Sequence, residues 1–149
     1  MEEINIKKLF AKSKQPSGWA FCFNAVCPMC ETCTHFLSGK YMTKRMLVGK
    51  AVFPQAMNDG QCQFYKEFRT VRMAYGFNGI MDIVENKDKK SIRNLLYCCT
   101  GSKSTFYRMN SGEVLIGPQM QQKIMNVLLN NGYKDAAKFD VYIESVEWD

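Results

Sequence analysis

The residues best suited to chemistry lie between Phe21 and His35, in the run FCFNAVCPMCETCTH, with a distant companion at Cys62. Cys22, Cys27, Cys30, Cys33 and the chain's one histidine, His35, fall within these fifteen residues. So few apolar side chains cannot hold a loop in shape by packing. Thiolates sharing one metal ion can, because each bond to the metal replaces a contact the loop lacks. The Cys27-x2-Cys30-x2-Cys33 spacing gathers sulfurs, Pro28 stiffens the turn after the first, and Cys22, His35 or Cys62 can bring the fourth ligand. Six donors thus compete for four tetrahedral positions. Zinc suits such a set, a remote-cysteine iron–sulfur cluster is the alternative, and a group of reduced, packed thiols without metal is the third reading. His35 reads as an ordinary surface or capping residue before it reads as a ligand.

A second constellation spans Ser91 to Tyr133. A helix is expected from a cap at Asp88 or Ser91, with Ile92, Leu95, Leu96 and Cys99 at helical spacing. Thr100-Gly101-Ser102 interrupts it, and a short helix from Lys103 to Asn110 follows, closing at Ser111-Gly112. A third helix starts at Pro118 and stops at Gly132, with Met120, Ile124, Val127 and Leu128 as its inner stripe. The order resembles a helix-turn-helix. Lys103, Ser104, Thr105, Tyr107 and Arg108 would then face DNA, while Phe106 and Met109 anchor the helix. Arg108 has a competing role, pairing with Glu113 or Asp140. The plain alternative is a three-helix packing unit with an exposed basic edge.

Elements of other kinds must position these groups. A short helix or arm is expected over Glu2–Lys14, a strand over Leu47–Phe53, and a turn at Asn58-Asp59-Gly60 that could fold Cys62 back on the cysteine run. Gln63 to Tyr75 satisfies neither period, Asn78 could cap a short helix, and Phe139–Trp148 alternates as a terminal strand. The expected architecture is α+β, one compact domain. Its cysteine-rich N-terminal half with short strands covers 1–75, and its helical half closed by a strand covers 76–149.

Composition narrows the classes. With 149 residues, 46% hydrophobic and 13% aromatic, the chain can bury a core. There is no apolar run of signal-peptide or membrane-spanning length, so a cytoplasmic location with reduced thiols and no membrane partner is expected. Seven cysteines, an odd number, also fit a closed disulfide framework poorly. The net charge of +6 is unevenly placed: residues 86–134 carry eight bases against two acids, and the tail from Asp135 carries five acids against Lys138. An anionic partner for the basic segment follows, though charge runs are commonly solvated faces. No phosphate-cradling glycine loop or nucleophile–base pair is evident, and no enzyme is expected. The two functional readings are a DNA-binding regulator and a metal-stapled module that binds protein.

The chain also resembles a known family, the domain-of-unknown-function family numbered 6078, of anaerobic gut bacteria. The likeness rests on Cys22, Cys27-Pro28, Thr32-Cys33 and Cys62, on Ala74-Tyr75-Gly76-Phe77, and on Phe106-Tyr107-Arg108 with Gly112-Glu113. Pro118 with Gln121 or Gln122, Phe139-Asp140, Tyr142 and Trp148 complete it. The resemblance implies a cytoplasmic bacterial protein with no assigned activity. It further implies a ligand set of Cys22, Cys27, Cys33 and Cys62, from which Cys30, Cys98 and Cys99 depart, and this weakens the iron–sulfur alternative; Cys30 and His35 stay in reserve as ligands.

Overall fold

The computed structural model describes residues 3–133 and 138–149. Glu2, Lys134 and Asp135, which figure in the sequence expectations, lie outside them. The fold is mixed α+β: helices with short strands in two-stranded sheets. The chain divides into two compact units, one of residues up to Thr70 together with Ser145–Asp149, the other of Val71–Glu144. Among the described residues no helix is long and apolar enough to cross a membrane.

In the first unit, α1 (Glu3–Lys12) delivers Phe10 to a small core with Leu37 of α2 (Thr34–Lys40) and Val146. The Ser13 hydroxyl, just past α1, accepts from the Val146 amide at 3.0 Å, which holds the returning C-terminal segment. Strands β1 (Ala20–Cys22) and β2 (Lys50–Val52) pair in parallel, and β3 (Met57–Asn58) forms a tight hairpin with β4 (Gln61–Cys62). The strand expected over Leu47–Phe53 is reduced to Lys50–Val52, with Leu47 and Val48 in solvent at about 90% of their surface exposed and Phe53 outside the strand.

The second unit has the larger core. Strand β5 (Thr70–Tyr75) pairs with β6 (Val141–Val146). Three helices follow the expected order: α4 (Lys89–Thr100), α5 (Lys103–Ser111) and α6 (Pro118–Asn130). Ile92, Leu96 and Thr100 recur every four residues and are buried; Ile124 and Leu128 do the same on α6. Leu95 is not part of that stripe and stays 40% exposed. Gly101, at φ +100°, lets the chain leave α4 and enter α5 after only two residues. Ser102 caps α5, its hydroxyl accepting from the Thr105 amide at 3.0 Å.

Two caps differ from expectation. Asp88 stands at the start of α4, yet its carboxylate accepts from the Tyr133 hydroxyl and makes no cap bond. The short helix α3 (Asn78–Ile83) is capped by Asp140, far along the chain, and not by Asn78. The Asp140 carboxylate accepts from the amides of Asn78 at 3.1 Å and Gly79 at 2.8 Å. A carboxylate can reach two adjacent amides where the Asn78 side chain, already inside the helix, cannot. Asp140→Ala is therefore expected to cost about 1–2 kcal/mol in urea unfolding.

Candidate functional site

Three consecutive three-residue turns build the cysteine segment. The amide of Cys27 donates to the Asn24 carbonyl (3.2 Å), that of Cys30 to Cys27 (3.2 Å) and that of Cys33 to Cys30 (3.1 Å). Only Cys30–Thr32 is a 3-10 turn proper, and Cys33 leaves it in an extended conformation. Cys22 enters from the end of β1, opposite Val52. Cys62 arrives through the β3–β4 hairpin, where Asp59 and Gly60 both take positive φ, the requirement of a tight two-residue turn. The backbone then ties the two segments together. The Thr34 amide donates to Lys66 O at 2.7 Å, and the Phe68 amide to Thr32 O at 2.8 Å.

Cys22, Cys27, Cys30, Cys33, Cys62 and His35 all line one cavity, closed by Met29, Phe36, Val52, Phe64 and Tyr65. Its volume is about 20 Å³. A water needs roughly 10–15 Å³ on this measure, so there is room for a single small species and not for an organic ligand. All seven thiols are free, with Cys30 and Cys33 buried and Cys22, Cys27 and Cys62 half-buried. The donors share the cavity without being drawn into a coordination shell. Among the described residues no three His, Cys, Asp or Glu side chains form a ready metal site.

The six donors are not equivalent. Burial, with Glu31 and Cys27 nearby, pushes the Cys30 thiol above the ordinary range and favours its protonated form. Its sulfur lies 3.7 Å from the Ala25 carbonyl, the partner for that proton. His35 is no ordinary surface residue. Its ring stacks on Trp19 at 4.2 Å with only 8° between the planes, and Nδ1 sits 2.6 Å from the Ala20 carbonyl.

On α5 the expected DNA-facing set separates. Lys103, Ser104, Tyr107 and Arg108 are exposed, forming two neighbouring i, i+4 pairs, while Phe106 and Met109 are buried as anchors. Thr105 differs from these: half-buried, it takes part in the Ser102 cap through both its amide and its hydroxyl. Arg108 Nε donates to Glu113 Oε1 at 3.1 Å, yet both side chains stay more than half exposed, so the guanidinium is tethered and not buried. Asp140, the other candidate partner, is occupied at α3. Tyr97 of α4, not anticipated from the sequence, joins this face: its hydroxyl lies 3.2 Å from that of Tyr107, and Lys103 Nζ stands 5.9 Å from its ring. The signal available was its helical register, one residue after buried Leu96. Cys99 packs inward, its thiol raised by burial, while Cys98 is exposed.

No curated protein and no solved structure matches the chain significantly. Residues 2–148 match the family described as "Family of unknown function (DUF6078)", and with essentially its whole length matched, the chain belongs to that family.

Proposed function

We propose that the chain is a zinc-stapled, non-catalytic protein of a bacterial cytoplasm. One ion held by thiolates in the cysteine cavity fixes the first unit. The observation that carries this reading is that five cysteines and a histidine line one space of single-ion size. That size also favours zinc over an iron–sulfur cluster, which needs room for several iron and sulfide atoms. The buried packing around the cavity is otherwise thin, Phe36 being its one buried residue besides cysteines. Titration with Co²⁺ under reducing conditions tests it. Saturation at one ion per chain with thiolate-to-metal absorption supports the staple; no uptake overturns it.

For the partner we propose DNA, bound through Lys103, Ser104, Tyr107 and Arg108. Support comes from the two-residue turn into α5 and the outward, basic and hydrogen-bonding character of its face. Arg108→Ala is expected to weaken binding by about 1–3 kcal/mol if the side chain contacts a base, or to lower the salt slope by about one if it contacts a phosphate. Thermal stability should move little, since an exposed ion pair contributes at most about 1 kcal/mol. Fluorescence anisotropy across a salt series checks this. A second reading, a metal-stapled module binding an acidic and apolar segment of a partner protein, has its own support. Leu47, Val48 and Phe53 are largely exposed beside exposed Lys44, Arg45 and Lys50, and residues 32–58 contain no acid. Absence of salt-dependent DNA affinity would favour that reading over the first.

A further inference from the structure

We infer that His35 is a metal ligand through Nε2, so that the bound zinc has three sulfur donors and one nitrogen; this rests on the zinc-staple reading above. His35 lines the same cavity as the five cysteines. Its Nδ1 lies 2.6 Å from the Ala20 carbonyl, a distance that places the ring proton on Nδ1 as donor. The proton being there, Nε2 keeps its lone pair, and among the described residues no hydrogen bond to Nε2 is present. Metal-binding histidines characteristically donate their second nitrogen to a carbonyl or carboxylate in this way, which fixes tautomer and ring orientation together.

The ring is also held against rotation. Trp19 covers one face at 4.2 Å, and Phe64, itself part of the cavity wall, stands nearly perpendicular to the ring at 6.5 Å. Trp19 is fixed in turn, its indole N–H donating to Ser38 Oγ at 2.9 Å and its ring meeting Trp148 edge-on at 4.8 Å. Three of the cysteines that line the cavity with His35 complete the set, Cys22, Cys27, Cys33 and Cys62 before Cys30, whose sulfur lies 3.7 Å from the Ala25 carbonyl.

Zinc-edge X-ray absorption on the intact wild-type chain, purified under reducing conditions, tests the inference without a variant. The expected result is a shell of three sulfurs at about 2.3 Å and one nitrogen at about 2.0–2.1 Å. Four sulfurs and no nitrogen would overturn the assignment of His35 and leave the zinc staple standing. No stoichiometric zinc would overturn both. His35→Cys supplies the second arm. It is expected to retain one zinc per chain while losing the nitrogen shell; an unchanged nitrogen shell in this variant would assign the nitrogen elsewhere and sink the inference.

Discussion

On the zinc-staple proposal, stripping the metal is expected to release residues 20–35 and 57–68 while the second unit stays folded. The turns that carry Cys27, Cys30 and Cys33 are closed by single backbone hydrogen bonds, and Cys62 sits at the end of a two-residue strand. Such elements are marginal in water without a staple. Structural zinc contributes about 10–16 kcal/mol in isolated zinc-finger peptides. The effect here should be smaller, because Phe10, Leu37 and Val146 give the first unit a core of its own. The second unit has an independent core that includes Phe77, Ile80, Ile92, Leu96, Ile124 and Leu128. Amide hydrogen exchange with and without a strong chelator is the appropriate readout. The cysteine segments should lose protection and the second unit should keep it; identical exchange in both conditions would contradict a stapling role.

Gly76→Ala is expected to be the most damaging single-methyl change in the second unit, costing about 3 kcal/mol or more. Two effects combine. Gly76 has φ +89°, where a side chain costs about 1–3 kcal/mol in backbone strain. An added Cβ would also lie 2.4 Å from Asp140 Oδ2 and 2.6 Å from Asp140 Cβ, well inside contact distance. Asp140 cannot swing away freely, because its carboxylate caps α3 and its amide donates to the Gly76 carbonyl. Gly101→Ala separates the two effects. That residue has φ +100°, but nothing lies within 4 Å of its added Cβ, so it should show the strain alone. Urea denaturation of both variants compares them directly. Equal losses would mean that the close approach of Asp140 contributes nothing.

The three helices of the second unit were legible because their signals are local. Ile92 and Leu96, or Ile124 and Leu128, repeat every four residues, and Gly101, Gly112 and Pro118 mark the ends. Strand β5 was not legible. Its sheet has only two strands, and its burial alternates poorly along Thr70–Tyr75, with Ala74 alone fully buried, so no period of two is written into it. The Asp140 cap was hidden for a different reason: its partners lie 62 and 61 residues away, and no local pattern encodes such a meeting.

The candidate site divides the same way. Cys27, Cys30 and Cys33 announce themselves by spacing, and Asp59-Gly60 announces the hairpin that turns Cys62 round. What the sequence could not display is the backbone pairing of Cys33 with Glu67, which brings that hairpin alongside. The environment of His35 was equally invisible, since it depends on the Ala20 carbonyl 15 residues upstream and on the face of Trp19. On α5 the spacing identified the exposed pairs, while the bond of Thr105 to Ser102, which satisfies a helix end, depends on the cap geometry.

Elemental analysis of protein purified without oxygen and without added metal tests the central claim most directly. One zinc per chain, lost together with the protection of residues 20–35 when a chelator is added, is the result this account predicts. A chain free of zinc and iron, with its cysteine segment equally protected, would contradict it: the five thiols would then be packing residues only.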